Sequence, residues 1–129
     1  MSTLIAQSVV FDASPHAVYE ALMDSALHAA FTHSPARISR KVGGEYMAYD
    51  GYITGKNVEL VPDLKIVQTW QASDWSADHF SVVTILLTSQ ADGTRLDLTH
   101  ADLPDGTEEE FRQGWIDNYW EPLKAFLKG

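Results

Sequence analysis

His100 is the residue of this sequence best placed to carry chemistry. It ends a stretch in which apolar and polar residues alternate, so a strand there would put its side chain on the same face as Leu96 and Leu98. On that face the imidazole could hydrogen-bond a ligand or carry a proton near neutral pH. It could equally bond a backbone carbonyl and do nothing further. General acid–base catalysis needs a positioned partner, and the sequence shows none beside His100.

Other polar residues offer a ligand contact or a metal site. Gln68 shares a predicted strand face with Trp70 and could supply an amide contact, or pair with a neighbouring polar group. Asp24 and His28 are four residues apart on a predicted helix, with His33 just beyond. A structural metal site needs four ligands and a catalytic one needs three, so this loose set predicts no metal.

Motifs for nucleophilic or phosphate chemistry are missing from the sequence. No serine stands in a nucleophile-elbow pattern. Gly43-Gly44 lacks the strand and helix that flank a phosphate-binding loop. No cysteine is present, which excludes thiolate ligands and disulfides. We therefore expect no cofactor, and the residues favour a non-catalytic protein over an enzyme.

The elements that must position these residues follow from local signals. Gln7–Asp12 has the β-branched and aromatic character of a first strand, and Ser14-Pro15 is typical of a helix start. A second short helix is predicted over Ser25–Phe31. The middle of the chain predicts antiparallel strands, with Asp50-Gly51 as a strong hairpin signal. The predicted strands are Tyr46–Tyr49, Tyr52–Leu60, Ile66–Trp70, Phe80–Thr88 and Arg95–His100.

The last segment predicts one long amphipathic helix. Thr107 to Glu110 reads as a capping box, with acidic residues in the first turn. Gly114 is a weak helix former, which suggests close backbone approach or a needed gap. Pro122 lacks the amide that would bond to the Asn118 carbonyl, so we expect a bend there. Residues of one aromatic face recur at helical spacing: Phe111, Trp115, Tyr119, Leu123 and Phe126.

These elements predict an α+β fold in which a curved antiparallel sheet wraps around the C-terminal helix. The sheet has one apolar face that must be covered, and only the last helix is long enough to cover it. The length of 129 residues favours a single domain over residues 1–129.

The composition limits the cellular location and the binding partners that we expect for this protein. The nine basic and eighteen acidic residues give a formal net charge of −9, without the basic stripe of a nucleic-acid binder. The same charge disfavours an anionic membrane surface. The first residues lack the features of a signal peptide, so a cytoplasmic location is expected.

In order and spacing, the sequence resembles the activator-of-Hsp90-ATPase homologue family of the START-like (SRPBCC, helix-grip) superfamily, from Val9 to Leu127. The matching segments include Val18–Leu22, Val42–Tyr46, Leu64–Trp70, Gly93–Leu96 and Gly114-Trp115. The activators that give the family its name also carry a separate N-terminal domain, for which this chain is expected to have no room. Fold alone does not fix activity.

The resemblance implies a cavity between the C-terminal helix and the sheet that binds an apolar small molecule. Phe126 belongs to the aromatic set that could line such a cavity or simply fill the core. Two alternatives remain, a protein-interaction or cochaperone-like module and a cyclase- or hydrolase-like enzyme using His100. The expected cavity residues are Gln68, Trp70, Leu98, His100, Phe111, Trp115 and Tyr119.

Overall fold

The order of strands and helices is the one expected from the sequence. The computed structural model describes residues 3–128; Met1, Ser2 and Gly129, which the one-domain prediction includes, lie outside the described residues. The strands are β1 (Thr3–Phe11), β2 (Arg37–Ile38), β3 (Glu45–Ala48), β4 (Ile53–Val61), β5 (Lys65–Ala72), β6 (Ser81–Gln90) and β7 (Gly93–Leu103). The helices are α1 (Pro15–Met23), α2 (Ser25–Thr32), α3 (Glu108–Trp115) and α4 (Glu121–Lys128), with a π-helical turn at Ile116–Trp120 joining the last two.

The strands form one antiparallel sheet of seven strands in the order β1-β7-β6-β5-β4-β3-β2. From β2 to β7 each strand pairs with the next along the chain, and β1 closes the order beside β7. The inner face alternates with the outer one, as in β7, where Leu96, Leu98 and His100 are all buried. The C-terminal helix covers this inner face, so the helix-grip architecture is confirmed.

The two short helices begin where the sequence predicts them. The Ser14 hydroxyl accepts a hydrogen bond from the Ala17 amide at 3.1 Å, and Pro15 occupies the first helical turn. The Asp24 carboxylate caps α2 by accepting from the Leu27 amide at 3.0 Å. His33 ends α2 in the left-handed conformation, which closes this end of the helix.

The connection between β3 and β4 differs from the two-residue hairpin that Asp50-Gly51 suggested. Ala48 pairs with Ile53, so four residues separate the strands. Tyr49, Asp50 and Gly51 are consecutive residues with positive φ, at 49°, 56° and 91°. A bulky residue in this region is strained, so contacts elsewhere must hold Tyr49 there.

The C-terminal helix departs from expectation at its start. The Thr107 hydroxyl donates to the Pro104 carbonyl at 2.6 Å and caps no helix amide, so the predicted capping box does not form. The hydroxyl instead closes the turn before the helix. The acidic first turn remains, where carboxylates face the positive end of the helix dipole.

The middle of this helix also departs from a simple bend at Pro122. The Glu121 amide bonds to the Ile116 carbonyl, five residues back, in the π-helical turn just before the proline. The wider turn lets both Tyr119 and Trp120 point inward, and the regular spacing had not marked Trp120 as buried. Phe126, expected on the buried face, is 36% exposed and packs at the edge against Phe31.

None of the helices within residues 3–128 is long and apolar enough to span a bilayer.

Candidate binding cleft

A cleft of about 390 Å³ opens between the C-terminal helix and the β3–β4 end of the sheet. Its volume falls in the range of small-molecule sites, roughly 300–1,000 Å³. The helix contributes Glu110, Phe111, Gly114, Trp115, Asn118 and Tyr119, and the sheet side contributes Tyr49, Tyr52, Ile53 and Trp70. The lining is mainly aromatic, and its polar groups are a carboxylate, an amide and three phenols.

Helix geometry explains the helical wall of the cleft. Phe111, Trp115 and Tyr119 are spaced four residues apart and form the row that faces the sheet. The residue before each of them forms the adjacent row, which borders the open side of the cleft. Those residues are Glu110, Gly114 and Asn118. A Cβ atom on Gly114 would meet only the Asn118 Nδ2 atom, at 3.9 Å. Gly114 therefore serves as a gap and not as a close contact with the sheet.

The floor of the cleft is a continuous set of aromatic rings. The centroids of Trp70 and Phe111 are 5.5 Å apart, and those of Trp70 and Trp115 are 6.3 Å apart. Trp115 in turn lies 4.8 Å from Tyr119, and Tyr119 lies 5.7 Å from Tyr49. Edge and tilted contacts at these distances are the arrangements that aromatic quadrupoles favour.

Tyr49 joins the hairpin loop to the helix across the cleft. Its hydroxyl donates to the backbone carbonyl of Asn118. Pro122 has no amide to give to that carbonyl, which is the bond an uninterrupted helix would make. Because Pro122 makes no such bond, the Asn118 carbonyl can accept a hydrogen bond from the Tyr49 hydroxyl. Burial raises the pKa of the Tyr49 phenol to about 12, so it remains a donor at neutral pH.

Negative charge lies at the rim. The Tyr52 hydroxyl is 3.4 Å from an Asp74 carboxylate oxygen, and Glu110 lines the cleft beside it. Burial, and then the charges of Asp74 and Glu110, raise the pKa of the Tyr52 phenol. Among the side chains that the structure describes, no lysine or arginine lines this cleft. The rim therefore presents carboxylate groups with no basic side chain beside them in the lining.

His100 does not reach the cleft, contrary to expectation. Its exposed fraction is 0%, because Trp70, Phe111 and Trp115 pack around the ring. The Trp115 indole N–H donates to Nδ1 at 3.0 Å, which leaves the proton on Nε2. Nε2 then donates to the Ser81 hydroxyl at 2.7 Å, and that hydroxyl donates to the Trp70 carbonyl at 2.8 Å.

This network argues against a serine–histidine hydrolase. A general base needs a free lone pair on the nitrogen facing the serine, and here that nitrogen carries the proton. Burial lowers the pKa of His100 to about 3, so the imidazole is neutral at pH 7. Ser81 is as fully buried as His100, so neither side chain is accessible to a substrate.

Two further predicted cavity residues also lie away from the cleft. Leu98 is 1% exposed and belongs to the core. The Gln68 amide donates to the Asn57 side chain at 2.9 Å, the polar pairing that the sequence left open. Gln68 lines an interior space of about 30 Å³. Such a space holds roughly two water molecules and no larger ligand.

Trp70, Phe111, Trp115 and Tyr119 are the predicted cavity residues that do line the cleft. The sequence analysis missed Glu110 and Asn118, although each precedes a residue of the aromatic row by one position. It also missed Tyr49, Tyr52 and Ile53, which flank the turn signal at Asp50-Gly51.

The loose metal set has other roles. Asp24 caps α2, and the His28 ring accepts from the Tyr119 hydroxyl at 3.2 Å while it donates to the Leu22 carbonyl at 3.1 Å. Burial lowers the pKa of His28. Across residues 3–128, no group of three or more histidine and carboxylate side chains is arranged to hold a metal ion.

Comparison with known proteins identifies one family. The family model described as "Activator of Hsp90 ATPase homolog 1-like protein" matches residues 12–128. The human protein named "Activator of 90 kDa heat shock protein ATPase homolog 1" is 33% identical over 114 residues, which are 88% of this chain and 34% of that protein. The chain thus spans about a third of the length of the curated relatives it matches.

Two solved structures are similar over nearly their whole length. One, described as an HSP90 activator from Plasmodium falciparum, has a TM-score of 0.88 at 28% identity and covers 99% of this chain and 96% of that chain. The other, a protein from Chromobacterium violaceum, has a TM-score of 0.81 at 24% identity over 98% and 97% of the two chains and shows the shared fold.

Proposed function

This chain belongs to the activator of Hsp90 ATPase homolog 1-like family, and from that premise we propose that it is a cytoplasmic, non-catalytic protein that binds an apolar small molecule. The binding site is the cleft between the C-terminal helix and the sheet. The observation that carries the proposal is an open volume of about 390 Å³ over a floor of packed aromatic rings. Apolar walls with few polar groups are what small-molecule sites have in common.

Gly114 supports this function independently of the volume. Glycine in the middle of a helix costs about 1 kcal/mol relative to alanine. No backbone atom lies close enough to Gly114 to require the missing side chain. The helix is thus less stable than it could be at the position where a side chain would enter the cleft.

The hydrogen bonding and burial of the two histidines that could act in catalysis support the proposal that the protein is non-catalytic. His100 holds its Nε2 proton toward a buried serine, and His28 is buried between a carbonyl and the Tyr119 phenol. Neither imidazole is free to exchange a proton with a ligand in the cleft. The remaining polar groups of the lining are suited to orienting a ligand.

Blocking the cleft at Gly114 tests this function. Gly114→Leu places a branched side chain in the open volume without a backbone clash. We expect the wild-type chain to bind the neutral apolar dye N-phenyl-1-naphthylamine, with a rise in dye fluorescence, and the Gly114→Leu variant to bind it at least about tenfold more weakly.

Ala125→Leu is the matched control, because Ala125 is exposed on the same helix and does not line the cleft. This variant should bind the dye as the wild type does. Equal dye binding by a Gly114→Leu variant that still unfolds cooperatively would show that the dye binds elsewhere. Absence of dye binding by wild type, supported by native mass spectrometry against lipid and polyketide panels, would remove the proposal.

A protein-interaction role in a chaperone system is a second candidate. The observation in its favour is that a chain covered to 96% by this one is described as an HSP90 activator. Adding the purified chain to Hsp90 and following ATP hydrolysis tests it. The Gly114→Leu variant distinguishes the two functions, since a surface interaction needs no open cleft. Unchanged ATP hydrolysis, together with no complex on gel filtration, would contradict the chaperone role.

A further inference from the structure

We infer that the cleft selects a cationic aromatic molecule, with a flat apolar body against the rings and a positively charged group at the Glu110 rim. This inference rests on the proposed function and specifies the chemical class of its ligand. Two features of the described structure carry it: the kind of surface that lines the cleft, and the sign of the charge around its opening.

The lining is richer in aromatic rings than an apolar ligand requires. An aliphatic wall would exclude water equally well, whereas the faces of Trp and Tyr rings also attract cations. Tyr49, Tyr52 and Trp70 bring three such rings from the sheet side. Trp115 and Tyr119 bring two more from the helix. A flat ligand body can contact several of these rings at once.

The charge at the opening has one sign. Glu110 is the charged residue of the lining, and Asp74 lies next to Tyr52 at the same rim. Neither carboxylate takes part in the ion pairs found among residues 3–128. The neighbouring Glu109, by contrast, pairs with Arg112. Glu110 therefore remains available to a charge supplied by a ligand.

The position of Glu110 relative to the rings sets the shape of the ligand. Glu110 precedes Phe111 and lies one turn before Gly114, where the helical wall leaves a gap. A ligand lying over the gap would place its body against Trp70 and Trp115. Its charged group would then lie toward the first turn of the helix, beside Glu110. An anionic group in the same place would meet two carboxylates.

Three probes that share a naphthylmethyl body test the inference: trimethyl(1-naphthylmethyl)ammonium, 1-naphthylmethanol and 1-naphthylacetate. Their dissociation constants are measured by isothermal titration calorimetry at low salt. We expect the ammonium compound to bind about threefold to tenfold more tightly than the alcohol, which is the size of a partly exposed cation–π and charge contribution. The acetate should bind most weakly.

Glu110→Gln should reduce the advantage of the ammonium compound over the alcohol, leaving the part that the aromatic rings and Asp74 supply, and it should not change the affinity for the alcohol. Glu108→Gln is the control, because it removes the same charge from the same helical turn and does not line the cleft. Equal affinities for ammonium and alcohol, with no effect of Glu110→Gln, would overturn the inference. If the Gly114→Leu variant in that case bound neither the ammonium compound nor the alcohol, the proposed function would stand. Failure of all three probes to bind would count against the proposed function as well.

Discussion

His100 shows how a residue suited to catalysis becomes part of the core. The Trp115 indole occupies one ring nitrogen and Ser81 the other, so the imidazole links the helix to β6 through hydrogen bonds that no solvent reaches. Such a group is stable only as the neutral form. Protonation would place a buried charge beside the indole N–H that now donates to Nδ1.

The low pKa of His100 predicts acid sensitivity. In the unfolded chain the imidazole binds a proton near pH 6.5, whereas in the folded chain it does so only near pH 3. Between these values the unfolded state holds more protons, so stability falls as the pH falls, by up to about 1.4 kcal/mol per pH unit. His28, whose pKa burial also lowers, acts in the same direction.

Replacing the histidine should remove part of this dependence. We expect the His100→Gln variant to be about 1–3 kcal/mol less stable at pH 7, because the buried network loses a partner. Between pH 6.5 and 4.5 its free energy of unfolding should fall less steeply than that of the wild type. Urea unfolding at several pH values measures both effects. A His100→Gln slope equal to that of the wild type would contradict the assignment.

The alternation along β7 correctly predicted which face of the sheet His100 lies on, but it did not predict how deeply its side chain is buried. Depth depends on which helical side chain lies opposite, and Trp115 lies there through the tertiary packing. The sequence contained the signal for Glu110 and Asn118, since both follow from helical spacing beside the aromatic row. It contained no signal that Gln68 would pair with Asn57, because that contact depends on the register of two neighbouring strands, which a β-bulge shifts just after Asn57.

At the scale of elements, the break in the C-terminal helix connects two parts of the molecule. Pro122 cannot supply the amide that an uninterrupted helix would give to the Asn118 carbonyl, and the Tyr49 hydroxyl donates to that carbonyl from the β3–β4 loop. The loop keeps Tyr49 in a strained conformation, and this hydrogen bond is one of the contacts that hold it there.

A double-mutant cycle between Tyr49 and Pro122 measures this connection. Tyr49→Phe should lower the free energy of unfolding by about 1 kcal/mol, because it leaves the Asn118 carbonyl without its donor. Pro122→Ala restores a helical amide, so Tyr49→Phe should cost less in that background. Chemical denaturation of the four proteins gives the coupling energy.

Tyr52→Phe is the control for this cycle, since the Tyr52 hydroxyl makes only a long contact with Asp74 near the surface. It should change stability little. A coupling energy of zero between Tyr49 and Pro122 would show that the loop is held by other contacts.

The proline was a sufficient signal for a disturbed helix. The π-helical form of the disturbance was not predictable, because a proline indicates a missing amide but not how the helix accommodates it.

At the scale of the whole molecule, acidic side chains outnumber basic ones. Five basic side chains in the described structure pair with acidic neighbours on the surface: Arg40, Lys65, Arg95, Arg112 and Lys124. The formal net charge of −9 therefore dominates the electrostatic field around the protein.

The fold itself was predictable, because turns, helix starts and strand alternation all agree with one arrangement. The open cleft was implied only by the family resemblance and not by the residues themselves, since a volume depends on how large side chains share space.

This charge predicts which surfaces the protein avoids. In co-sedimentation at physiological salt, vesicles containing phosphatidylserine should retain no more protein than neutral phosphatidylcholine vesicles, because like charges repel. Duplex DNA should cause no shift in gel mobility for the same reason. Retention on the anionic vesicles alone would show that a local basic patch outweighs the net charge.

Selection for heat resistance and selection for the proposed binding should favour different residues at position 114. Alanine at position 114 gains about 1 kcal/mol of helix propensity and meets no obstacle. A laboratory selection for survival at high temperature should therefore enrich substitutions there early, and larger residues should follow. The selected variants would be more stable but would lose the ligand binding proposed for the cleft. Selection that also requires this proposed binding should instead retain glycine at position 114.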